Sequence, residues 1–261
     1  MRTDVAATLT MTSPEPATAL LQIAVAAPSA EQLTVLSGGK PVEPEEFDVD
    51  GARVHRLRLS PGDTTITYSA SAEDGGPPRK VTSAEWAAAL RPSRYCPSDQ
   101  LEGFATAEFD RSRPHAELVR AVADWVHRRL VYTSGASRPV DTAVDTLLAG
   151  QGVCRDYAHL TVTLLRALEI PARLVAAYAP GLSPMDFHAV VEADVEGTWC
   201  VVDPTRLAPT SSLVRICSGR DAADTAFLSL FGGVAQFRTM TVTATTAGPL
   251  PAPDDAPFPL P

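Results

Sequence analysis

Up to about residue 85, apolar and polar positions alternate with a period of two. "ATLTMT", "LLQIAVAAP", "QLTVLSGG" and "ARVHRLRLSPGDTTITYSASA" read as strands separated by Pro, Gly, Ser and Asp. In "RVHRLRL", Val54, Leu57 and Leu59 stand against charged neighbours, with one slip of register. Several short strands so punctuated predict a small antiparallel sandwich. "EDGGPPRK" at 73–80 is a loop by composition. "SAEWAAAL" then predicts a short helix, and "RPSRYCPSDQL" an irregular connector.

From about residue 112 the period lengthens. "RPHAELVRAVADWVHRRLVY" places Leu118, Val122, Trp125, Val126 and Leu130 on one helical face, with Pro114 near the first turn. After the loop "TSGASRPVD" comes a short helix, "TAVDTLLAG". A stronger one follows, in which Val153, Tyr157, Leu160, Leu164, Leu165 and Leu168 recur at three- and four-residue spacing until Pro171 stops it. Strands are predicted at "ARLVAAYAP" (172–180), "FHAVVEADV" (187–195) and "TWCVVDPT" (198–205). "EGT" is a tight turn that makes the last two a hairpin. "QFRTMTVTATT" is a further strand. The end, "GPLPAPDDAPFPLP", is Pro-rich, has little to bury and reads as a loose extension.

Composition narrows the function classes. The chain has 261 residues, 45% of them hydrophobic and 20% charged, which suits a globular protein with a sizeable core. A formal net charge of −9 argues against a nucleic-acid partner, and the basic run "HRRL" at 127–130 is a solvated helix face. No stretch approaches the roughly 18 consecutive apolar residues of a membrane span. "ATALLQIAVAAP" (17–28) lacks a basic leader, follows Pro14, Glu15 and Pro16, and reads as a strand rather than a signal sequence; a cytoplasmic location is expected. Cys96, Cys154, Cys200 and Cys217 form no CxxC pair, disulfide framework or zinc spacing, so free thiols are expected.

One cysteine stands apart. Cys154 follows Gly150-Gln151-Gly152-Val153 and opens the strongest helix. A helix N-terminus favours thiolate, and its free N–H groups are suited to a developing oxyanion. Of the five histidines, His159 lies five residues along the helix and is rotated about 140° from Cys154. His55 falls in the β-rich region, and His115 and His127 on another helix. His188 begins the first hairpin strand after the loop "GLSPMD", and Asp203 ends the second in "VVDPT", extended by Pro204. Both reach one end of the sheet, where the carboxylate is placed to orient the imidazole.

"GQGVCRDYAHLTVTLLRALEIPARLVAAY", "FHAVVEA" and "TWCVVDPT", in that order, resemble the transglutaminase-like superfamily, papain-like thiol enzymes with a Cys–His–Asp triad. The resemblance is strong over about residues 112–208. It departs at Val190, where the family usually has Trp, and at Val202, often aromatic there. It implies an α+β fold: a papain/transglutaminase-like core of helices on an antiparallel sheet, preceded by a small all-β sandwich. The expected division is 1–90 for the β domain, 91–248 for the catalytic domain with its connector, and 249–261 for the tail.

By position, the resemblance makes Cys154 the nucleophile, His188 the base and then acid, and Asp203 the orienting group. It implies no metal, since no motif matches the calcium sites of mammalian members, and no cofactor. The reaction it implies is acyl transfer from an amide, peptide or thioester donor to water or an amine, with hydrolysis preferred. Amide-bond formation and a vestigial binding module are the alternatives. Asp156 either complements the helix dipole or serves the site, Tyr132 lines the cleft or packs, and Gln151 lends an amide to an oxyanion or has no role there. Cys96, Cys200, Cys217 and Trp125 are expected to pack.

Overall fold

The two-residue alternation of the N-terminal third forms seven strands: β1 (Arg2–Ser13), β2 (Ala17–Leu21), β3 (Ala30–Ser37), β4 (Lys40–Pro41), β5 (Glu45–Val49), β6 (Ala52–Leu59) and β7 (Gly62–Glu73). A computed structural model describes residues 2–73 and 78–252; residues 74–77 of the expected loop and 253–261 of the expected tail lie outside the described residues. Helical periodicity then takes over in α1 (Ser83–Ala89), α2 (Glu102–Glu108) and α3 (His115–Arg129). These are followed by β8 (Val131–Tyr132), α4 (Ala143–Ala149), β9 (Gln151–Gly152) and α5 (Cys154–Ala167). The chain closes with β10 (Ala172–Tyr178), β11 (Phe187–Val195), β12 (Thr198–Val202), β13 (Val214–Gly219), α6 (Ala222–Thr225), β14 (Leu228–Phe231) and β15 (Gln236–Thr246). This is an α+β protein: a β-rich N-terminal region beside a helix-on-sheet core.

The sandwich has two antiparallel sheets, ordered β15-β1-β7-β3-β4 and β14-β2-β6-β5. Leu9, Met11, Leu21, Leu57, Ile66 and Tyr68 fill the space between them. The expected division 91–248 includes β14 and β15, but these pair with β2 and β1 and so complete the sandwich sheets. The reason is physical: two-residue alternation identifies a half-buried strand without saying which sheet it joins.

The core sheet is ordered β12-β11-β10-β13, all antiparallel. The expected hairpin forms with Val195 opposite Thr198, and both turn residues, Glu196 and Gly197, take positive φ. Leu118, Val122 and Val126 of α3 and Leu160, Leu164 and Leu165 of α5 bury against Leu174, Val191 and Val202 of the sheet. Trp125 packs edge-on against Phe104 and Phe109 while its indole N–H reaches Glu108. Among the described residues no helix is long and apolar enough to cross a membrane.

Candidate active site

The nucleophile candidate is placed by a short, tightly held stretch of backbone. α4 ends at Gly150, whose left-handed conformation (φ 67°) suits a residue without a Cβ. Beyond it β9 runs parallel to β8, with Tyr132 opposite Gly152 and the Thr133 N–H bonded to the Gly152 carbonyl at 2.9 Å. Gly152 is required for space: a Cβ there would sit 2.7 Å from Cβ of Asp156. That carboxylate accepts the Val153 N–H at 2.9 Å through Oδ2 and the Ser137 hydroxyl at 2.9 Å through Oδ1. It thereby satisfies a helix-initial donor one residue before Cys154 and ties the loop after β8 to the same turn. Arg155 joins by donating to Asp156, Ser137 and the Arg138 carbonyl. Asp156, with 1% of its surface exposed, shapes the start of α5.

His188 and Asp203 come together across the open end of the hairpin. β11 and β12 pair as far as Val191–Val202, and just past that pair His188 Nε2 and Asp203 Oδ2 lie 2.8 Å apart, both buried. The other Asp203 oxygen accepts the Thr205 N–H (2.9 Å) and hydroxyl (2.7 Å), the local turn that a short carboxylate makes two residues on. The turn is also pinned from α3: the Pro204 carbonyl lies 3.0 Å from Nδ1 of His127, and Asp124 pairs with Arg206. Thr205 and His127 were not singled out in the sequence. The legible signal was the "DPT" triplet, an Asp followed two residues later by a hydroxyl.

Electrostatics separate the buried histidines. Burial alone would pull the His188 imidazole down, but the charge and hydrogen bond of Asp203, joined by the neighbouring Cys154 thiol, push it up to about 10. For Asp203, burial raises the carboxyl, yet His188 and Thr205 hold it below the ordinary carboxylate range. With Nε2 on Asp203, Nδ1 of His188 is buried and has no hydrogen bond among the described residues, so it is the nitrogen left for Cys154. His159, by contrast, is driven to about 3 by burial, stacks on Tyr95 and accepts the Ala222 N–H at 3.1 Å. It is a structural histidine.

The remaining candidates sort themselves. Tyr132 sits beside Cys154 and packs on Tyr157, its ring half-exposed; burial, then the charge of Cys154, push its phenol up to about 12. It flanks the thiol. Gln151 is exposed on β9, and its amide makes no side-chain hydrogen bond among the described residues. Cys96, Cys200 and Cys217 are free and buried, and burial pushes the Cys96 and Cys217 thiols up to about 12. Cys154 is partly accessible.

A buried ion cluster also went unread in the sequence. Glu192, fully buried on β11, accepts Arg173 at 2.8 Å and pairs with Arg215. Arg173 reaches on to Glu85 of α1 and lies over the Trp199 ring at 4.0 Å. Alternation placed these charged residues on strands, but nothing local to each showed that they meet.

A family model described as the transglutaminase-like superfamily matches residues 104–204. The structure superposes on a candidate cysteine protease from Cytophaga hutchinsonii with a TM-score of 0.85 and 32% identity, over 99% of this chain and 93% of the other. An uncharacterized protein of Mycobacterium leprae is 31% identical over 149 residues, 52% of this chain and 52% of the relative. An uncharacterized protein of Mycobacterium tuberculosis (strain H37Rv) is 31% identical over 106 residues, 40% of this chain and 33% of the relative. The matches thus span about half or less of these curated relatives' length.

Proposed function

The chain belongs to the transglutaminase-like superfamily, and from that premise we propose that it carries out thiol-dependent acyl transfer through an acyl-enzyme on Cys154, with hydrolysis of an amide or peptide bond as the net reaction. One observation carries the reading. A buried imidazole, held by a buried carboxylate on Nε2 and with Nδ1 unsatisfied, borders the only partly accessible thiol among the four cysteines.

The chemistry follows from those positions. With His188 as imidazolium, Cys154 is the thiolate, and its sulfur attacks the carbonyl carbon. The oxyanion so formed faces the start of α5, where the first N–H groups of a helix lack carbonyl partners within it. His188 then gives its proton to the leaving nitrogen as the C–N bond breaks, and a thioester remains on Cys154. Water replaces the amine, His188 takes one of its protons, and the attacking oxygen displaces the sulfur. Asp203 holds the ring and balances its charge throughout, and Thr205 holds Asp203.

Cys154→Ala should abolish turnover of amide and peptide substrates while leaving the thermal midpoint nearly unchanged. In the wild type, iodoacetamide at neutral pH should label Cys154 selectively, and His188→Ala should slow that labelling. Turnover surviving in Cys154→Ala would end this reading.

A further inference from the structure

A cavity of about 730 Å³ lies outside the catalytic site, and none of Cys154, His188 and Asp203 lines it. One wall is the outer face of the sheet β14-β2-β6-β5. Ala19 and Leu21 of β2 point into the sandwich core, so alternation turns Leu20 outward, and with it Ser229 and Phe231 of β14. Toward the other edge, Phe47 and Val49 of β5 stand opposite Val54 and Ala52 of β6. The outer face of such a sheet is ordinarily polar. This one is apolar, with Phe231 54% and Val49 46% exposed. Ala84 and Ala88 of α1 also line the cavity.

The polar part of the lining is built from arginines. Buried Arg166 donates to three backbone carbonyls, those of Ala172 (2.9 Å), Arg91 (2.9 Å) and Arg220 (2.7 Å). It thereby gathers the segments that carry Arg91, Arg173 and Arg220, and all three line the cavity. Asp224 occupies Arg220 through two hydrogen bonds, and Asp50, on the exposed turn between β5 and β6, adds its charge to the same guanidinium. Arg173, 7% exposed, gives Nε to Glu192 and Nη1 to Glu85, yet its buried Nη2 has no hydrogen bond among the described residues. It shares Glu85 with Arg79 and Glu192 with Arg215, so neither carboxylate is its own. Arg91 is exposed and makes no side-chain hydrogen bond or ion pair among the described residues.

We infer that this cavity binds a small organic acid, its carboxylate held by Arg91 and the unpartnered Nη2 of Arg173 and its hydrocarbon body laid on Leu20, Phe47, Val49 and Phe231. Size, wall and charge fit one ligand. The volume falls within the roughly 300–1,000 Å³ of small-molecule sites, which pair apolar walls with a few convergent polar groups. A buried donor left without a partner is costly, and a carboxylate satisfies it with a charge-assisted bond while neutralising Arg91. A neutral ligand leaves Arg91 without a counter-charge, and a cation meets two guanidiniums.

Calorimetric titration of the full chain tests this with 2-naphthoate and its uncharged match, 2-naphthamide. One site per chain is expected, with the acid bound about tenfold more tightly than the amide. Arg91→Gln should remove that preference and leave amide binding unchanged; the fold is spared because Arg166 holds the Arg91 carbonyl, not its side chain. Arg94→Gln, the same charge change at an exposed residue outside the lining, should leave the preference intact. Phe231→Ala should weaken both probes alike. Saturating 2-naphthoate should not slow iodoacetamide labelling of Cys154. No binding, equal affinity for the two probes, or an acid preference that survives Arg91→Gln overturns the assignment. So does protection of Cys154, which would place the acid in the catalytic cleft instead.

Discussion

At the scale of single residues, His188 and Asp203 stabilise each other's charged forms, and this gives a pH dependence with a definite sign. The His188 pKa lies near 10 in the folded protein against an ordinary 6.5, so the stability it lends is complete below about pH 6.5 and is lost as pH rises through 10. Asp203 runs the other way. Its folded pKa lies below 3.8, so its contribution is present above about pH 4 and is lost as pH falls through the folded value. The stability gap between wild type and His188→Ala, from urea denaturation, should therefore be widest between about pH 4 and 6.5. It should narrow toward about pH 10; widening toward alkaline pH would contradict the assignment. The residues of the constellation were legible because each sits in its own motif, "GVC", "FHA" and "VVDPT". Thr205 shows only as the hydroxyl two residues after Asp203, and His127 acts through tertiary placement that no local pattern records.

At the scale of elements, the site depends on how α5 begins. The helices at 115–129 and 154–167 and the hairpin at 187–202 were readable because their periodicity is long and their stops are Pro or Gly. The pattern does not show α2, β13 and β14: the strands span only 6 and 4 residues, and α2, as short as α1 and α4, lacks the capping Thr that begins each of those. Asp156 is read from the sequence as either a dipole partner or a site residue, and it lies in the first turn of α5 as an N-terminal cap. Its carboxylate caps the turn that presents Cys154, and Gly152 leaves room for it. Gly152→Ala forces a Cβ to 2.8 Å from the Asp156 Oδ2, and neither α5 nor the Val153 hydrogen bond can stay in place. The expected cost is about 1–3 kcal/mol in urea denaturation, together with slower alkylation of Cys154. A variant as stable and as reactive as wild type would show that the turn is looser than this packing implies.

At the scale of the molecule, the sandwich and the catalytic sheet share apolar residues. Tyr178 of β10 and Val214, Ile216 and Cys217 of β13 pack into the same cluster as Leu9, Leu57 and Ile66. The Tyr178 hydroxyl donates to the Ile23 carbonyl at 2.9 Å, and its ring packs with Tyr68 and Phe187. The strand that positions His188 through the pair Ala177–His188 is thus seated in the sandwich interior. Two expected domains read from a change of period could not reveal this, because a shared core depends on which faces meet after folding. The three tryptophans, Trp86, Trp125 and Trp199, all lie outside the sandwich strands and report on the catalytic part, while far-UV dichroism follows the strands of both. If the core is common, the two signals should give coincident urea transitions. Tyr178→Ala should then move both midpoints together, by about 3–5 kcal/mol. Had each part its own core, the tryptophan transition would shift while the strand signal split into two steps, and the sandwich would be a separable attachment rather than the wall against which the active site is built.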